Sequence, residues 1–529
     1  MRRPSRPSGN YSNRLENKVA LIDKNGSEPK SANSQGRRVI IIGAGPAGLT
    51  AAYELCKHSV PAVVLEADSV VGGIARTVNY KGYSFDIGGH RFYTQWDEVQ
   101  KIWEEILGDS FLLRPRLSRI YYRKKFFSYP LVAKNALFGL GLLEALRTVA
   151  SYLRARLSPS PQEENLEQWL CNRFGRRLFE NFFKTYTEKV WGIPCSEIHA
   201  EWAARRIRGL SLASALRNAL WRRKRPGAKT LMNEFHYPER GPGQMWETLA
   251  ARLRARNYPV LTDHRVVRIR HRNGKLTGLT TAGPEGEKHF EGTDFISSAP
   301  LREVIDCLEE PAPEEVRRAA SRLRYRDFLI VSLIINRKDV VPDNWVYVHD
   351  PSVRVGRIQN FKNWSPAMVP DPNKTCLGME YFVFKDDDLW SSADAQLIDL
   401  AGKEIAQLGL VRPEEIEDGV VVRMPKAYPV YDRGYLEEVN TIRHYVEQNL
   451  TNLQLVGRNG MHKYNNQDHS MMTALGAARN ILGAHCDLWA INTEPEYQEE
   501  KTPPGGGELP RPAYEEPPQV GAPKPTCLE

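Results

Sequence analysis

The sequence lacks any closely spaced pair of cysteines. Its seven cysteines are scattered over 529 residues, and none of them belongs to a C-x-x-C motif. They are Cys56, Cys171, Cys195, Cys307, Cys376, Cys486 and Cys527. This absence argues against a metal site, a redox dithiol and a disulfide framework, which all require cysteines at paired spacings. We therefore predict a protein without a bound metal ion that resides in the reducing cytoplasm.

Long apolar runs are also missing. The longest, residues 136–143, is too short to span a bilayer and is bounded by Lys134, Glu144 and Arg147. The arginines near the start are not followed by the apolar region of a signal peptide. Because Cys527 stands third from the end, the last four residues do not form a prenylation motif. We expect no membrane span.

No nucleic-acid recognition motif accompanies the net charge of +9. Residues 1–37 carry eight bases and three acids, whereas residues 494–529 carry three bases and eight acids. The first tail is basic and polar and the second is rich in proline and glutamate, so we predict that both are disordered. Since the two tails cancel, the body between them carries the positive charge. That charge favours an anionic ligand such as a nucleotide.

Glycine, by contrast, recurs at a regular spacing near the start of this body. A β-branched run at residues 39–42 precedes GAGPAG, and a helical pattern follows. Gly43 permits the tight turn, Gly45 lets the backbone approach a pyrophosphate, and Gly48 lets helix and strand pack closely. A second buried strand ends at Glu66, at about the 20-residue offset of an acid that binds ribose. This order predicts a dinucleotide whose phosphates face a helix N-terminus.

A glycine pair and an arginine follow the second strand. Gly72 and Gly73 let the chain pass close to a cofactor, and Arg76 reaches either a phosphate or the surface. With the first motif, they resemble the FAD signature of the amine oxidase and glutathione reductase superfamily. The resemblance implies FAD, and the expected FAD-binding residues are Gly43, Ala44, Gly45, Ala47, Gly48, Glu66, Gly73, Arg76, Gly89, Val267, Gly457 and Gln467.

The remaining patterns predict an α/β protein. Residues 166–182 are apolar at helical spacing, although Gly175 divides them, and the strand patterns between residues 325 and 384 have no helix between them. We predict a Rossmann-like FAD domain of the glutathione reductase type with an inserted helical domain and an antiparallel β-sheet domain. Their expected bounds are 38–115 with 240–300 and 425–493 for the discontinuous FAD domain, 116–239 for the helical substrate or lid domain, and 301–424 for the sheet domain.

No second G-x-G-x-x-G motif follows a strand. Gly139 and Gly141 lie in a helical stretch, so the sequence shows no built-in NAD(P) domain. We therefore expect the flavin to be reduced by the substrate itself, or in a transient encounter with NAD(P)H or another reductant.

More specific motifs occur in the middle and late parts of the chain. They are GGHRFYT at 88–94, TYTEKVWG at 185–192, RRI at 205–207, RYRDF at 324–328, YPVYD at 428–432 and VGRNGMHKYNNQDHSM at 456–471. Over most of residues 38–482 the chain resembles the UDP-galactopyranose mutase family. This resemblance implies that reduced FAD acts without net redox chemistry. The flavin N5 displaces UDP, and an N5–sugar adduct lets the pyranose and furanose forms of a nucleotide sugar interconvert.

The resemblance also implies site residues. His90 matches a histidine beside the flavin ring, Arg206 an arginine on a mobile loop over the diphosphate, and Arg326 a second diphosphate arginine. Arg205 is an alternative to Arg206, because the spacing is one residue longer than expected. Planar, permanently charged arginines suit a leaving diphosphate. The implied catalytic residues are His90, Arg206 and Arg326. The implied substrate-binding residues are Phe182, Tyr186, Trp191, Arg206, Arg326, Tyr428 and Asp432.

Two departures leave the substrate open. Val355-Gly-Arg357 stands where the mutases carry a tyrosine before the arginine, and Tyr93 stands where bacterial mutases often have a histidine. One alternative is an FAD-dependent oxidoreductase of the protoporphyrinogen oxidase or amine oxidase type, with an apolar or amine pocket. The other is a non-catalytic flavin-binding accessory protein whose tails recruit a partner. All of these functions are compatible with an oligomeric protein.

Overall fold

The computed structural model describes residues 36–129, 135, 139–160, 163–198 and 234–492. Arg206 and nearly all of both predicted tails lie outside the described residues. The strands are β1 Val39–Ile42, β2 Ala62–Leu65, β3 Thr77–Tyr80, β4 Tyr83–Asp86, β5 Phe111–Pro115, β6 Ser118–Tyr122, β7 Lys125–Ser128, β8 Glu234–Pro238, β9 Val260–Leu261, β10 Arg265–Arg272, β11 Lys275–Gly283, β12 Gly286–Glu291, β13 Asp294–Ser297, β14 Tyr325–Ile335, β15 Trp345–Val348, β16 Arg357–Asn360, β17 Thr375–Val383, β18 Ile416–Pro429 and β19 Leu453–Leu455. The helices are α1 Pro46–Lys57, α2 Asp97–Leu107, α3 Leu142–Leu157, α4 Leu166–Phe174, α5 Arg176–Phe179, α6 Thr185–Trp191, α7 Gly243–Ala255, α8 Leu301–Asp306, α9 Glu314–Arg322, α10 Phe361–Trp364, α11 Asp388–Ser391, α12 Asp394–Gln407, α13 Tyr435–Asn449 and α14 Gln467–Ile481.

A parallel sheet of five strands carries the first glycine motif. Its order is β19-β13-β1-β2-β9, so strands from distant parts of the chain lie side by side. All four residues of β1 are buried, as expected for a central strand covered on both faces. This sheet and the helices that join its strands confirm the Rossmann-like α/β fold.

The second large sheet has seven strands in the order β18-β14-β17-β16-β15-β6-β7. Its pairings are antiparallel except for β15 with β6, which run parallel. The sheet is therefore mixed rather than purely antiparallel. It also takes β6 and β7 from the segment expected to be mainly helical. Ten of the eleven residues of β14 are buried, which explains its long apolar run.

Gly175 separates the helices of the middle segment. It ends α4 at a φ of +79°, and a Cβ there would lie 2.7 Å from the backbone nitrogen of Tyr152 on α3. Glycine is required on both counts, because the left-handed conformation and the close approach of α3 disfavour a side chain. A π-helical turn at Glu180–Lys184 then joins α5 to α6. The division of this helical pattern at Gly175 is thus confirmed.

The described residues from Arg38 onward group into one compact unit by their contacts, so the domain bounds given above stay predictions. Within the described part of the chain, no helix has both the length and the apolar character needed to cross a bilayer.

Candidate functional site

One cavity of about 1490 Å³ extends between the two large sheets. It exceeds the roughly 300–1,000 Å³ of a pocket for a single small ligand, so it has room for an extended cofactor and a substrate. Its nucleotide end is lined by Gly43, Gly45, Glu66, Asp68, Gly73 and Arg76. Its aromatic end is lined by Tyr129, Tyr186, Trp345, Tyr347, Tyr428 and Tyr464.

Gly43 and Gly48 allow the tight turn and the close approach of helix and strand that the sequence predicts. A Cβ on Gly48 would lie 1.8 Å from the carbonyl oxygen of Gly43, so helix α1 can approach β1 only with glycine there. Gly43 has a φ of +98°, and a Cβ on it would lie 2.3 Å from the Ser298 Oγ. Gly45 differs, because the nearest atom to its Cβ would be 4.0 Å away, at Gly73. A Cβ on Gly73, whose φ is +54°, would lie 3.5 Å from the Gly45 Cα, which is ordinary van der Waals contact. The two glycines thus face each other without side chains at the cavity wall, and this leaves space that a ligand can fill.

Two helix N-termini meet the same cavity. Helix α1 starts after Gly45 with no side-chain hydrogen bond to its first N–H groups. Helix α14 starts at Gln467, which lines the cavity, but side chains already accept from the N–H groups of Asn466 and His469. The free N–H groups of α1 and the helix dipole favour an anion there. This arrangement, together with the space at Gly45 and Gly73, fits the pyrophosphate of a dinucleotide.

Glu66 is fixed by backbone groups. Its Oε2 accepts a hydrogen bond from the Ala44 N–H at 2.6 Å, and its Oε1 accepts one from the Asp68 N–H at 2.9 Å. Burial raises the pKa of its carboxyl. Arg76 forms an ion pair with Asp68. The carboxylate is thus oriented before a ribose arrives, while Arg76 is held by a neighbour at the rim.

His90 follows the second glycine pair and stays neutral. Burial, followed by the charges of Arg458 and Arg357, lowers its pKa to about 3. Its Nδ1 lies 3.1 Å from the Gly88 carbonyl oxygen. Because a carbonyl only accepts, the neutral ring carries its proton on Nδ1, and Nε2 presents a lone pair. His90 therefore serves as a hydrogen-bond acceptor in the cavity rather than as a cation.

A buried ion pair lies beneath the glycine pair. The Arg357 Nε is 2.5 Å from the Glu380 Oε2, and the Gln359 Nε2 donates to the Glu380 Oε1 at 2.7 Å. A Cβ on Gly89 would lie 2.9 Å from the Gln359 Nε2, so glycine lets the chain rest on this network. Burial alone would lower the pKa of Arg357, but the Glu380 carboxylate raises it well above its usual value. Arg357 is therefore a permanent cation in the cavity wall.

Aromatic rings and a second arginine complete the aromatic end. Tyr186 stacks on His349, with ring centroids 4.8 Å apart and planes 8° apart. The Arg458 guanidinium carbon lies 5.2 Å from the ring centroid of Tyr428 and 4.8 Å from that of Tyr464. Burial and then Tyr464 raise the pKa of Tyr428 to about 12, so its phenol donates hydrogen bonds at neutral pH. Two arginines and several flat rings thus face one space.

Most of the residues predicted for the site line the cavity, but not all. Those that do are Gly43, Gly45, Ala47, Glu66, Gly73, Arg76, Gly89, His90, Phe182, Tyr186, Trp191, Tyr428, Gly457 and Gln467. Ala44 and Gly48 shape it from behind, through the hydrogen bond to Glu66 and the close approach to Gly43. Arg206 lies outside the described residues.

Arg326 is not among the residues that line the cavity, and its predicted contact with a diphosphate stays a prediction. Its guanidinium is buried and donates to the carbonyl oxygens of Phe382, Lys189 and Val190. Strand alternation explains the difference, because successive side chains point to opposite faces and the next residue, Asp327, lines the cavity instead. Arg326 therefore ties β14 to the end of α6, the helix that carries Tyr186.

Val267 and Asp432 also lie outside the cavity wall. Val267 on β10 is 38% exposed, and its neighbour Val266 lines the cavity. Asp432 is half-buried, with its Oδ2 3.6 Å from an Arg324 nitrogen. The predicted contacts of Val267 and Asp432 stay predictions.

Sequence reasoning missed several residues of the aromatic end. Tyr347, His349, Gln359, Glu380, Arg458 and Tyr464 were given no role, although Arg458 and Tyr464 lie within a motif quoted above. Tyr347 and Glu380 reach the site only through the pairing of β15, β16 and β17, which no local pattern reveals.

Comparison with known proteins establishes the family. The sequence profile of the family described as "Flavin containing amine oxidoreductase" matches residues 46–482. The chain therefore belongs to this family of flavoproteins, and its cofactor is FAD.

Particular relatives are more distant. AofH of Mycobacterium tuberculosis, named as a flavin-containing monoamine oxidase, is 27% identical over 297 residues, which cover 53% of this chain and 61% of that protein. The chain thus spans about three fifths of the length of this curated relative. Protoporphyrinogen oxidase 2 of Arabidopsis thaliana is 37% identical over 71 residues, or 13% of this chain and 14% of that one. The structure of reduced UDP-galactopyranose mutase covers 86% of this chain and 98% of its own, with a TM-score of 0.76 at 20% identity, which shows a shared fold.

Proposed function

We propose that the protein binds FAD along this cavity and interconverts the pyranose and furanose forms of a nucleotide sugar at the aromatic end. The observation that carries the proposal is the position of Arg458 over the rings of Tyr428 and Tyr464, with Arg357 lining the same cavity. A nucleotide sugar needs cations for its diphosphate and flat surfaces for its base, and both are present here. The resemblance to the mutases points to the same substrate class.

The described residues divide the work of binding. Arg357 and Arg458 hold the diphosphate, and each charge-assisted hydrogen bond contributes about 1.5–3 kcal/mol. The Tyr186–His349 stack offers a platform for the base. The neutral His90 accepts a hydrogen bond at Nε2, which orients either the cofactor ring or a sugar hydroxyl without adding charge. The closure of a loop that carries Arg206 over the diphosphate is also part of the proposal.

FAD fits the residues that are present: the space at Gly45 and Gly73 and the free N–H groups of α1 suit its pyrophosphate, and Glu66 suits its adenosine ribose. When bound, FAD supplies the reactive ring atom for the substrate. The reduced form, delivered by NAD(P)H or another reductant in a transient encounter, belongs to the proposal through the resemblance to the mutases.

An oxidoreductase of the protoporphyrinogen oxidase type is the second candidate. The family match and the Arabidopsis relative favour it, and the large aromatic cavity with two arginines also suits a flat substrate with carboxylates. A cationic amine suits this end less well, because Arg357 and Arg458 would repel it.

Turnover distinguishes these functions. The purified protein should carry FAD. After reduction with dithionite it should convert UDP-galactofuranose to the pyranose form, and chromatography of the two nucleotide sugars measures this conversion. Arg458→Met should abolish conversion, while Leu436→Gln on the surface of α13 should not change it. Absence of conversion together with hydrogen peroxide production from a porphyrinogen would replace the mutase by the oxidase. FAD uptake with neither reaction would favour the accessory protein.

A further inference from the structure

Helix α3 has its apolar residues on the outside. Leu143, Leu146, Leu153 and Leu157 are 72%, 60%, 54% and 87% exposed, and Ala150 is exposed between them. Four of the ten strongly exposed large apolar residues of the described chain thus lie on one 16-residue helix. At 100° per residue they form one narrow stripe, which we call the leucine stripe. Contiguous apolar patches of this kind mark interaction sites, unlike single exposed leucines.

The opposite face of α3 is polar and is already used. Thr148 and Tyr152 are buried, the Ser151 Oγ accepts a hydrogen bond from the Arg177 N–H at 3.1 Å, and Glu144 pairs with Arg177 at 2.9 Å. Gly175 lets the next helices approach the α3 backbone directly. The helix is therefore fixed to the protein by polar and backbone contacts, and its orientation leaves the leucine stripe outward.

Basic residues border the leucine stripe. Arg147 and Arg154 lie on one side of it and Arg156 on the other, and all three are exposed. The helix has one acid, Glu144, which pairs with Arg177 at 2.9 Å and lies 3.7 Å from an Arg147 nitrogen, so the helix keeps an excess of positive charge. Close to its start, the exposed turn Arg123–Lys124 adds charge, since the neighbouring Lys125 Nζ donates to the Gly139 carbonyl oxygen at 3.0 Å. Exposed leucines between arginines are the pattern of a helix that lies in a membrane interface.

We propose that the leucine stripe of α3 binds the surface of an anionic lipid bilayer, with the leucines among the acyl chains and the arginines at the headgroups. Charge complementarity favours a lipid surface over a second copy of the chain. A two-fold antiparallel pairing of α3 centred on Ala150 would bring Arg147 of one copy level with Leu153 of the other, one residue from Arg154, and like charges this close oppose association. This proposal is independent of the reaction at the cavity.

Vesicle sedimentation with the full chain and bound FAD tests it. The protein should bind vesicles of phosphatidylcholine with phosphatidylglycerol about tenfold or more tightly than vesicles of phosphatidylcholine alone. The double variant Leu146→Gln/Leu153→Gln should lose about tenfold or more of this binding. Arg147→Gln/Arg154→Gln should lose several-fold, and added salt should reduce that difference. Leu436→Gln, which changes an exposed leucine on α13, is the matched control and should bind as the unchanged protein does.

Three outcomes would overturn the proposal. One is equal vesicle binding by the unchanged protein and Leu146→Gln/Leu153→Gln. Another is a dimer by light scattering that this variant converts to a monomer, which would assign the stripe to a second copy. The third is no vesicle binding together with a lower melting temperature of the variant, which would show that another part of the chain covers the stripe. FAD absorbance and the melting temperature of each variant establish that it is folded.

Discussion

At the nucleotide end of the cavity, the wall consists largely of glycines and backbone groups that lie close together in sequence. At the aromatic end it consists of side chains from α6, from the seven-stranded sheet and from the loop after β19. The nucleotide end thus depends on what is absent, namely side chains at Gly43, Gly45 and Gly48. The aromatic end depends on buried charges and rings that must find their partners. The two ends should therefore fail in different ways when they are mutated.

Arg357→Met should cause the largest loss of stability, because it leaves the Glu380 carboxylate buried without its cation. We expect a loss of about 3–5 kcal/mol in the free energy of unfolding at pH 8. Burial raises the pKa of Glu380, and without Arg357 that pKa rises further. A carboxyl whose pKa is raised in the folded state stabilises the fold at pH values below its unfolded pKa, and this contribution is lost as pH rises through the folded pKa. The loss of stability in Arg357→Met should therefore be smaller at pH 5 than at pH 8.

Urea unfolding at both pH values measures this difference. The double variant Arg357→Met/Glu380→Gln is the matched control, since it removes the orphaned charge and should regain part of the loss at pH 8. An equal loss for Arg357→Met at both pH values would contradict a buried, titrating Glu380.

Gly48→Ala and Gly45→Ala should separate packing from cofactor binding at the nucleotide end. A Cβ on Gly48 meets the Gly43 carbonyl oxygen at 1.8 Å, so Gly48→Ala should destabilise the FAD-free protein by about 3 kcal/mol. A Cβ on Gly45 would have its nearest neighbour 4.0 Å away, at the Gly73 Cα, so Gly45→Ala should leave that stability unchanged and weaken FAD binding about tenfold or more. Melting of the FAD-free forms and titration with FAD compare them. Equal destabilisation by both would refute the distinction.

His349→Gln should change the response to acid at the aromatic end by a smaller amount. Burial and then Lys189 lower the pKa of His349 to about 3. A histidine with a lowered folded-state pKa costs stability as pH falls below its unfolded value near 6.5, by about 1.4 kcal/mol per pH unit. Between pH 7 and pH 5 the unchanged protein should thus lose about 2 kcal/mol more than His349→Gln. An equal loss of stability in the unchanged protein and in His349→Gln would show instead that His349 takes up its proton in the folded state.

The same contrast explains what the sequence could predict. The glycine motif, Glu66 and the division at Gly175 follow from residues near one another, so their roles were predicted and the structure confirms the packing of the glycines. Arg326 and Val267 were assigned to the site, yet their neighbours Asp327 and Val266 line it, because a one-residue change on a strand reverses the face. Glu380 could not be found, since its partner Arg357 stands 23 residues away on a paired strand.

Arg76→Ala should have the smallest effect, and it tests whether the nucleotide end relies on side-chain charge at all. Arg76 pairs with Asp68, whose side chain is 50% exposed, so the pair contributes at most about 1 kcal/mol to stability. If backbone groups and helix ends hold the cofactor, FAD affinity should fall less than about threefold, measured by fluorescence titration. Asp68→Asn should behave alike, since it removes the same pair. A loss of tenfold or more for Arg76→Ala alone would instead assign its guanidinium to a phosphate, and the nucleotide end would then resemble the aromatic end in depending on a cation.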